Sequence, residues 1–381
     1  MSSSGHGRTW PLVGRAAELD DLDELLATAA GGQGVTVLLE GAAGVGKSSL
    51  VEALRGSARL LDVRLSTARA SSMRPWPFAL LSDALLQGAS RSPLELELAG
   101  ILATLYAAPT VPDDEIARVG AMFADLLRSR GASRPWALVL EDVHESDAAS
   151  LDVLHELAHE GALHHALVIL TMRPVPYRAD LAAVVAAWTR AGARHVELRP
   201  LSSRASVELA EHLVGGDVGP SLRGTLAMAG GNPRFVTDVV RTARSTGALV
   251  TEGGVHDVSG SAWQVALDDV VRRRIYYLGS EVLELLGRAS VLGTSFVMTD
   301  LALLAEEPVA DCWRTLRHGL AAGVVRARGD RLVFGHDLVR SALYDGLDPD
   351  DRRALHARAA KALQEAGAPA QIVANHLDRA R

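Results

Sequence analysis

"VLLEGAAGVGKSSL", residues 37–50, joins an apolar run to a glycine-rich turn that ends in lysine and serine. The run reads as a buried strand, and the turn after it meets the pattern G-x-x-x-x-G-K-[ST] in full. Gly41, Gly44 and Gly46 allow positive φ and bare their backbone N–H groups. With Ala42, Ala43 and Val45 they make a turn able to wrap a polyphosphate. Ser48 is expected to open the following helix, with Ser49 next to it. That helix N-terminus adds partial positive charge and unpaired N–H donors. Lys47 would reach the β- and γ-phosphates as a point charge, and the Ser48 hydroxyl would be a Mg²⁺ ligand. The plain alternative is a glycine-rich turn in a chain with 35 glycines, but lysine occurs only at Lys47 and Lys361.

Outward from this stretch, "VTVLLE" (35–40), "DVRLSTA" (62–68), "WALVLED" (136–142), "ALVILTMR" (166–173) and "RHVELRP" (194–200) are short apolar runs separated by helical patterns. Such a rhythm predicts an α/β domain with a parallel sheet covered on both faces. After Pro200 the rhythm changes to short amphipathic helices at 203–215, 221–229 and 234–247. "GGNP" (230–233) breaks the chain and places Pro233 at a helix N1 position. Residues 250–265 read as a hairpin or an irregular connection. Helices are expected at 267–278, 280–291, 299–305 and 309–321, then a hairpin over 323–336 turning at Gly329-Asp330, then a helix at 337–347. Helices followed by a hairpin predict a winged-helix domain, and 351–381 reads as purely helical. The expected division is a disordered 1–11, a P-loop domain over 12–200, a helical lid over 201–262, a winged helix over 263–350, and repeat-like helices over 351–381.

Composition bounds the reading. The 381 residues are 48% hydrophobic, enough for two or three domains with real cores. A net charge of −7 gives no global attraction to nucleic acid or to an anionic membrane. Cys312 is the only cysteine, so no intrachain disulfide can form, and a reducing cytoplasm is the expected compartment. No apolar run approaches the roughly 18 residues of a membrane span.

"ALVLEDVHESDAASLDVL" (137–154) places Glu141 and Asp142 at the carboxyl end of a buried strand, where ligands bind in open α/β sheets. In a P-loop enzyme one such carboxylate holds the Mg²⁺ shell and its neighbour orients or deprotonates the attacking water. Lys47, Glu141 and Asp142 are therefore the candidate catalytic residues. "VILTMRP" (168–174) ends another strand with Thr171 and Arg173. Arg173 reads either as a structural ion pair or as a γ-phosphate contact.

With these elements in order, the chain resembles the STAND family of signal-transduction ATPases, and most closely the AAA-like module of large ATP-binding LuxR-type bacterial regulators. The resemblance runs through "LVGRAAELDDLDELLA" (12–27), the phosphate loop, "LEDVHESDAASL" (140–151), "LTMRP" (170–174), "LRPLS" (198–202), "GGNPRFVTDVVR" (230–241), "RASVLGTSF" (288–296), "VFGHDLVRSALYDGL" (333–347) and "RRALHARAAKAL" (352–363). It implies ATP or ADP with Mg²⁺ as ligands. Gly14 and Arg15 match the family's "VGR" element beside the nucleotide, and Pro233 matches the "GxP" element that packs on adenine. "GHDL" (335–338) resembles the "MHD" motif of related NLR and apoptosome ATPases, which implies that His336 touches the β-phosphate of ADP, with Asp337 capping the next helix. Arg173 matches the family's sensor residue. Relatives commonly carry Asp-Asp at the acidic pair, and Glu141 is one methylene longer, which implies slow hydrolysis because Mg²⁺ tolerates little departure from octahedral geometry. The last helices match the start of TPR-like sensor repeats.

The resemblance implies a nucleotide-dependent switch, with ATP-dependent self-association and no direct DNA binding. The competing reading is a DNA-binding AAA+ ATPase of the origin-recognition or loader type. Across 265–345 there are 10 Arg and 11 Asp plus Glu, where a DNA-reading module should carry a basic face. Arg272-Arg273-Arg274 is the one basic cluster.

Overall fold

The computed structural model describes residues 12–74, 76–85, 92–106, 110–159, 166–174, 178–228, 230–260, 263, 278, 280–321, 323–335 and 337–381. All but residue 278 of the helix expected over 267–278, Arg272–Arg274 included, and the candidate His336 lie outside the described residues. By packing, the chain divides into two units. One comprises residues 1–41 and 46–199, the other residues 42–45 and 200–381.

The first unit opens with α1 (Ala16–Ala30), β1 (Val35–Gly41), α2 (Lys47–Leu60) and β2 (Arg64–Arg69). It continues through α3 (Ala79–Leu85), α4 (Pro93–Leu105), α5 (Asp113–Ser133), β3 (Trp136–Glu141) and α6 (Ala148–His159). It closes with β4 (Ala166–Met172), α7 (Ala179–Arg190) and β5 (Arg194–Leu198). The five strands form one sheet in the order β2-β3-β4-β1-β5, and every pairing is parallel. This is the parallel α/β arrangement that the alternating runs predict. β4 is buried along its whole length and β3 along all but Glu141, because helices cover both faces. A fully buried Leu or Val side chain contributes about 1.5–3 kcal/mol, so such strands dominate the stability of the sheet.

Polar anchors orient the helices. Ser92 and Glu95 form a reciprocal cap at the start of α4, Ser92 Oγ accepting from Glu95 N and Glu95 Oε2 from Ser92 N. The same Glu95 accepts from Arg130 Nε at 2.8 Å, and the Arg130 guanidinium lies 4.8 Å from the Trp136 ring centroid. One buried carboxylate thereby ties α4 to α5 and β3, and its pKa is held low by Arg130 and the Ser92 amide against the opposing effect of burial.

The second unit contains α8 (Ser203–Val214), β6 (Asp217–Val218), α9 (Pro220–Met228), α10 (Pro233–Ser245), β7 (Leu249–Glu252) and β8 (Val255–Val258). Then come α11 (Ser280–Val291), β9 (Ser295–Phe296), α12 (Met298–Ala305), α13 (Val309–Ala321), β10 (Val325–Arg328) and β11 (Arg331–Phe334). Helices α14 (Asp337–Asp345), α15 (Pro349–Glu365) and α16 (Ala370–Arg379) complete it. β7 and β8 form an antiparallel hairpin with β6 at its edge. β10 and β11 pair antiparallel around Gly329-Asp330, and β9 joins β11. Asp337 falls at the first position of α14 rather than at its cap. Pro233 does stand at N1 of α10, preceded by the cap Asn232. Tyr344, His356 and His376 link the last three helices: Tyr344 Oη lies 2.8 Å from His356 Nε2, and the two Nδ1 atoms are 2.9 Å apart.

Candidate phosphate and metal site

The carboxyl ends of β1, β3 and β4 supply the functional side chains of the first unit. β1 ends at Gly41, and α2 begins at Lys47 rather than at Ser48, with Gly46 as its cap at φ 110°. That backbone conformation strains any L side chain, although a Cβ at Gly46 would meet nothing within 4 Å. Lys47 folds back over the turn and donates from Nζ to the Gly41 carbonyl at 2.6 Å. It is buried, which pushes its pKa down to about 8 despite the opposing Asp142 carboxylate.

Ser48 Oγ donates to Glu141 Oε2 at 2.6 Å. Asp142 follows at φ 56°, a left-handed conformation uncommon outside glycine, and its amide donates to Thr171 Oγ1 at 2.9 Å. The β4 threonine thus holds the strained turn that aims Asp142. Arg69, at the end of β2, donates to both Glu141 Oε2 and Ser48 Oγ, at 2.5 and 3.0 Å. Sequence reasoning missed Arg69, because only the β2–β3 register places it beside Glu141.

Arg173 Nη2 lies 3.5 Å from Glu145 Oε1. The imidazole of His144 is pushed down to a pKa of about 3, by burial first and then by Arg173 and Lys47. It is therefore neutral, and its 3.7 Å approach to Glu145 is no ion pair. Neither ring nitrogen has a hydrogen-bond partner among the described residues, nor does Ser146 Oγ. Gly14 has φ 66°, and Arg15 is buried, donating to Glu18 Oε1 at 2.9 Å and to the Arg199 carbonyl at 2.6 Å.

Residues 42–45 and 230–234 meet inside the second unit. Asn232 Nδ2 donates to the Ala43 carbonyl at 2.8 Å, and the Arg234 amide donates to the Gly44 carbonyl at 3.2 Å. A Cβ on Gly44 would stand 2.8 Å from Arg234 Cβ, and one on Gly231 would stand 2.1 Å from the Leu201 carbonyl oxygen. Gly44 and Gly231, both at φ 76°, are therefore required by positive φ and by close approach, of the Arg234 and Asn232 side chains at Gly44 and of the Leu201 backbone at Gly231. Asn232, which also caps α10 by accepting from Phe235 N, had no signal in the motif reading beyond its place before Pro233.

The donor set fits a phosphate with a hard divalent cation. Lys47 is buried at the head of α2, and Ser48 Oγ and Glu141 Oε2, both hard oxygens, meet at 2.6 Å. Among the described residues no cluster of three or more His, Cys, Asp or Glu could hold a metal. Mg²⁺ is ordinarily held by one or two carboxylates with substrate oxygens completing the shell.

Residues 11–170 match the family profile described as the AAA ATPase domain. An uncharacterized protein of Rhizobium meliloti is 25% identical over 97% of this chain and 39% of its own length, so the chain spans about two-fifths of that relative. The Aeropyrum pernix ORC2 protein, solved as ADPNP-ADP complexes, superposes with a TM-score of 0.54 at 13% identity, covering 89% of this chain and 97% of that one. A STAND protein with a tetratricopeptide repeat sensor from Pyrococcus horikoshii covers 97% of this chain and 48% of its own at 15% identity, with a TM-score of 0.38, too low to bear on the reading. Among the described residues no helix is long and apolar enough to cross a membrane. The match over residues 11–170 and the likeness to ORC2 show a parallel-sheet P-loop ATPase fold.

Proposed function

We propose that the chain is an ATP/ADP-binding switch of the STAND class, the nucleotide-binding core of a LuxR-type regulator, with slow hydrolysis. The observation that carries the nucleotide reading is the pairing of Ser48 with Glu141 at 2.6 Å, next to a buried Lys47 at the head of α2. Lys47 would take the β- and γ-phosphates, and the amides of the Gly41–Gly46 turn would cradle them. Ser48 and Glu141 would hold Mg²⁺, which when bound supplies charge neutralisation on the phosphate oxygens. Asp142, aimed by its strained backbone and by Thr171, would orient or deprotonate the attacking water.

In this reading α8–α10 form a lid, the helices and hairpin from α11 to α14 form a winged helix, and α15–α16 begin a repeat array. The order and succession of motifs across the chain support it. The origin-recognition alternative shares the fold; the balance of 10 Arg and 11 acidic residues over 265–345 favours the switch, since a DNA-reading module should carry a basic face. Self-association on ATP and compaction on ADP follow if the γ-phosphate contacts differ between two arrangements. Calorimetric titration with ATP and ADP tests binding, and light scattering with each nucleotide beside a low-salt duplex titration separates the two readings. Salt-sensitive duplex binding without nucleotide-dependent assembly would overturn the switch.

A further inference from the structure

Arg69 ends β2, and the parallel pairing of β2 with β3 sets it directly beside Glu141. Its Nη2 reaches Glu141 Oε2 and Ser48 Oγ, and its Nε lies 3.8 Å from Asp142 Oδ2. Glu141 Oε2 and Ser48 Oγ are the oxygens assigned to Mg²⁺ above. Resting on that assignment, we propose that Arg69 is a resident counter-cation of the metal position, which neutralises the carboxylates and competes with the divalent ion for Ser48 and Glu141.

Glu141 Oε2 accepts from both Ser48 and Arg69. The Ser48 proton is directed at Glu141, so Ser48 Oγ meets Arg69 with a lone pair that a metal would otherwise use. A divalent ion taking both oxygens displaces these donors and repels the guanidinium. Arg69 can leave at small cost because its side chain is 57% exposed, whereas that of Glu141 is 13% exposed. A half-exposed ion pair of this kind is weak enough to be exchanged reversibly. The affinity of the site for a divalent ion is accordingly lowered by a residue that competes for its ligands.

The test is titration of the full chain with Mn²⁺, read by electron paramagnetic resonance, with and without ADP. Arg69→Ala should bind Mn²⁺ about five- to tenfold more tightly than wild type. Arg69→Lys, which keeps the charge, should stay near wild type, which a merely structural role would not produce. Equal Mn²⁺ affinity in wild type and Arg69→Ala, weaker uptake in the variant, or no uptake by either would overturn the proposal. Fluorescent ADP added to wild type, in EDTA and again in Mg²⁺, reports separately on the nucleotide reading. Its failure to bind in both would defeat that reading, while the titration without nucleotide still decides Arg69.

Discussion

Lys47 in the first unit and His356 in the second are both buried titratable groups, and burial pushes both down, to about 8 and about 4. Their surroundings differ. Both nitrogens of His356 are engaged, by Tyr344 and by His376, within three adjacent helices. Near Lys47, the neutral His144 has no hydrogen-bond partner on either nitrogen among the described residues, Asp142 sits at positive φ, and two carboxylates share an arginine, Glu141 also accepting from a serine hydroxyl. A buried polar group that is satisfied internally is structure. One held with strain and orphaned atoms is a cost that a ligand can offset.

Lys47→Ala should weaken ATP and ADP by two to three orders of magnitude, about 3–4 kcal/mol, by calorimetry, and should raise the melting temperature of the nucleotide-free protein by relieving the buried cation. Equal nucleotide affinity would remove Lys47 from the site. Because phosphate restores its proton, binding should also weaken as pH rises above about 8, with proton uptake on binding. Asp142→Asn should slow phosphate release about 100-fold while sparing ATP affinity. Release that persists would assign the water to Glu141 instead.

On the other side, His356→Ala should cost about 2–3 kcal/mol, through the cavity and the unpaired Tyr344 hydroxyl, without changing nucleotide affinity. The sign of its pH dependence follows from a folded pKa below the unfolded value of about 6.5. The unfolded imidazole binds more protons, so its stability contribution is complete above about 6.5 and is lost as pH falls toward about 4. His376 is also lowered, and charging both rings would oppose two N–H donors. Amide protection factors in α15 and α16, corrected for intrinsic exchange, should fall as pH drops through that interval in wild type; a flat profile would contradict the lowered imidazoles. The smallest effect expected is Asn232→Ala, about 1 kcal/mol from the lost α10 cap, seen as faster exchange in the first turn of α10.

Much of the first unit is legible because its signals are local. Continuous apolar runs at strand length, separated by helical spacing, announce a parallel sheet whichever neighbours the strands find, and the glycines of 41–46 announce a turn. Glu141 and Asp142 are readable as acids ending such a run. Thr171 marks only a strand end in the sequence, and its bond to the Asp142 amide depends on β4 lying next to β3. In the second unit the hairpin at Gly329-Asp330 is readable, whereas the pairing of His356 with His376 is not, because nothing in an alanine-rich helical run marks which faces meet.

The sequence by itself determined the strand alternation of the first unit, the glycine turn between β1 and α2 and the acidic pair that ends β3, since each is written in contiguous residues whose conformational preferences are short-ranged. Only the tertiary structure decided that Arg69 stands against Glu141 and Ser48, that Asn232 holds the Ala43 carbonyl, and that His144 is buried with neither nitrogen bonded among the described residues. Arg69 and Glu141 are 72 positions apart. Strand register, close backbone approach and desolvation arise from the packing of distant segments, and no local pattern encodes them.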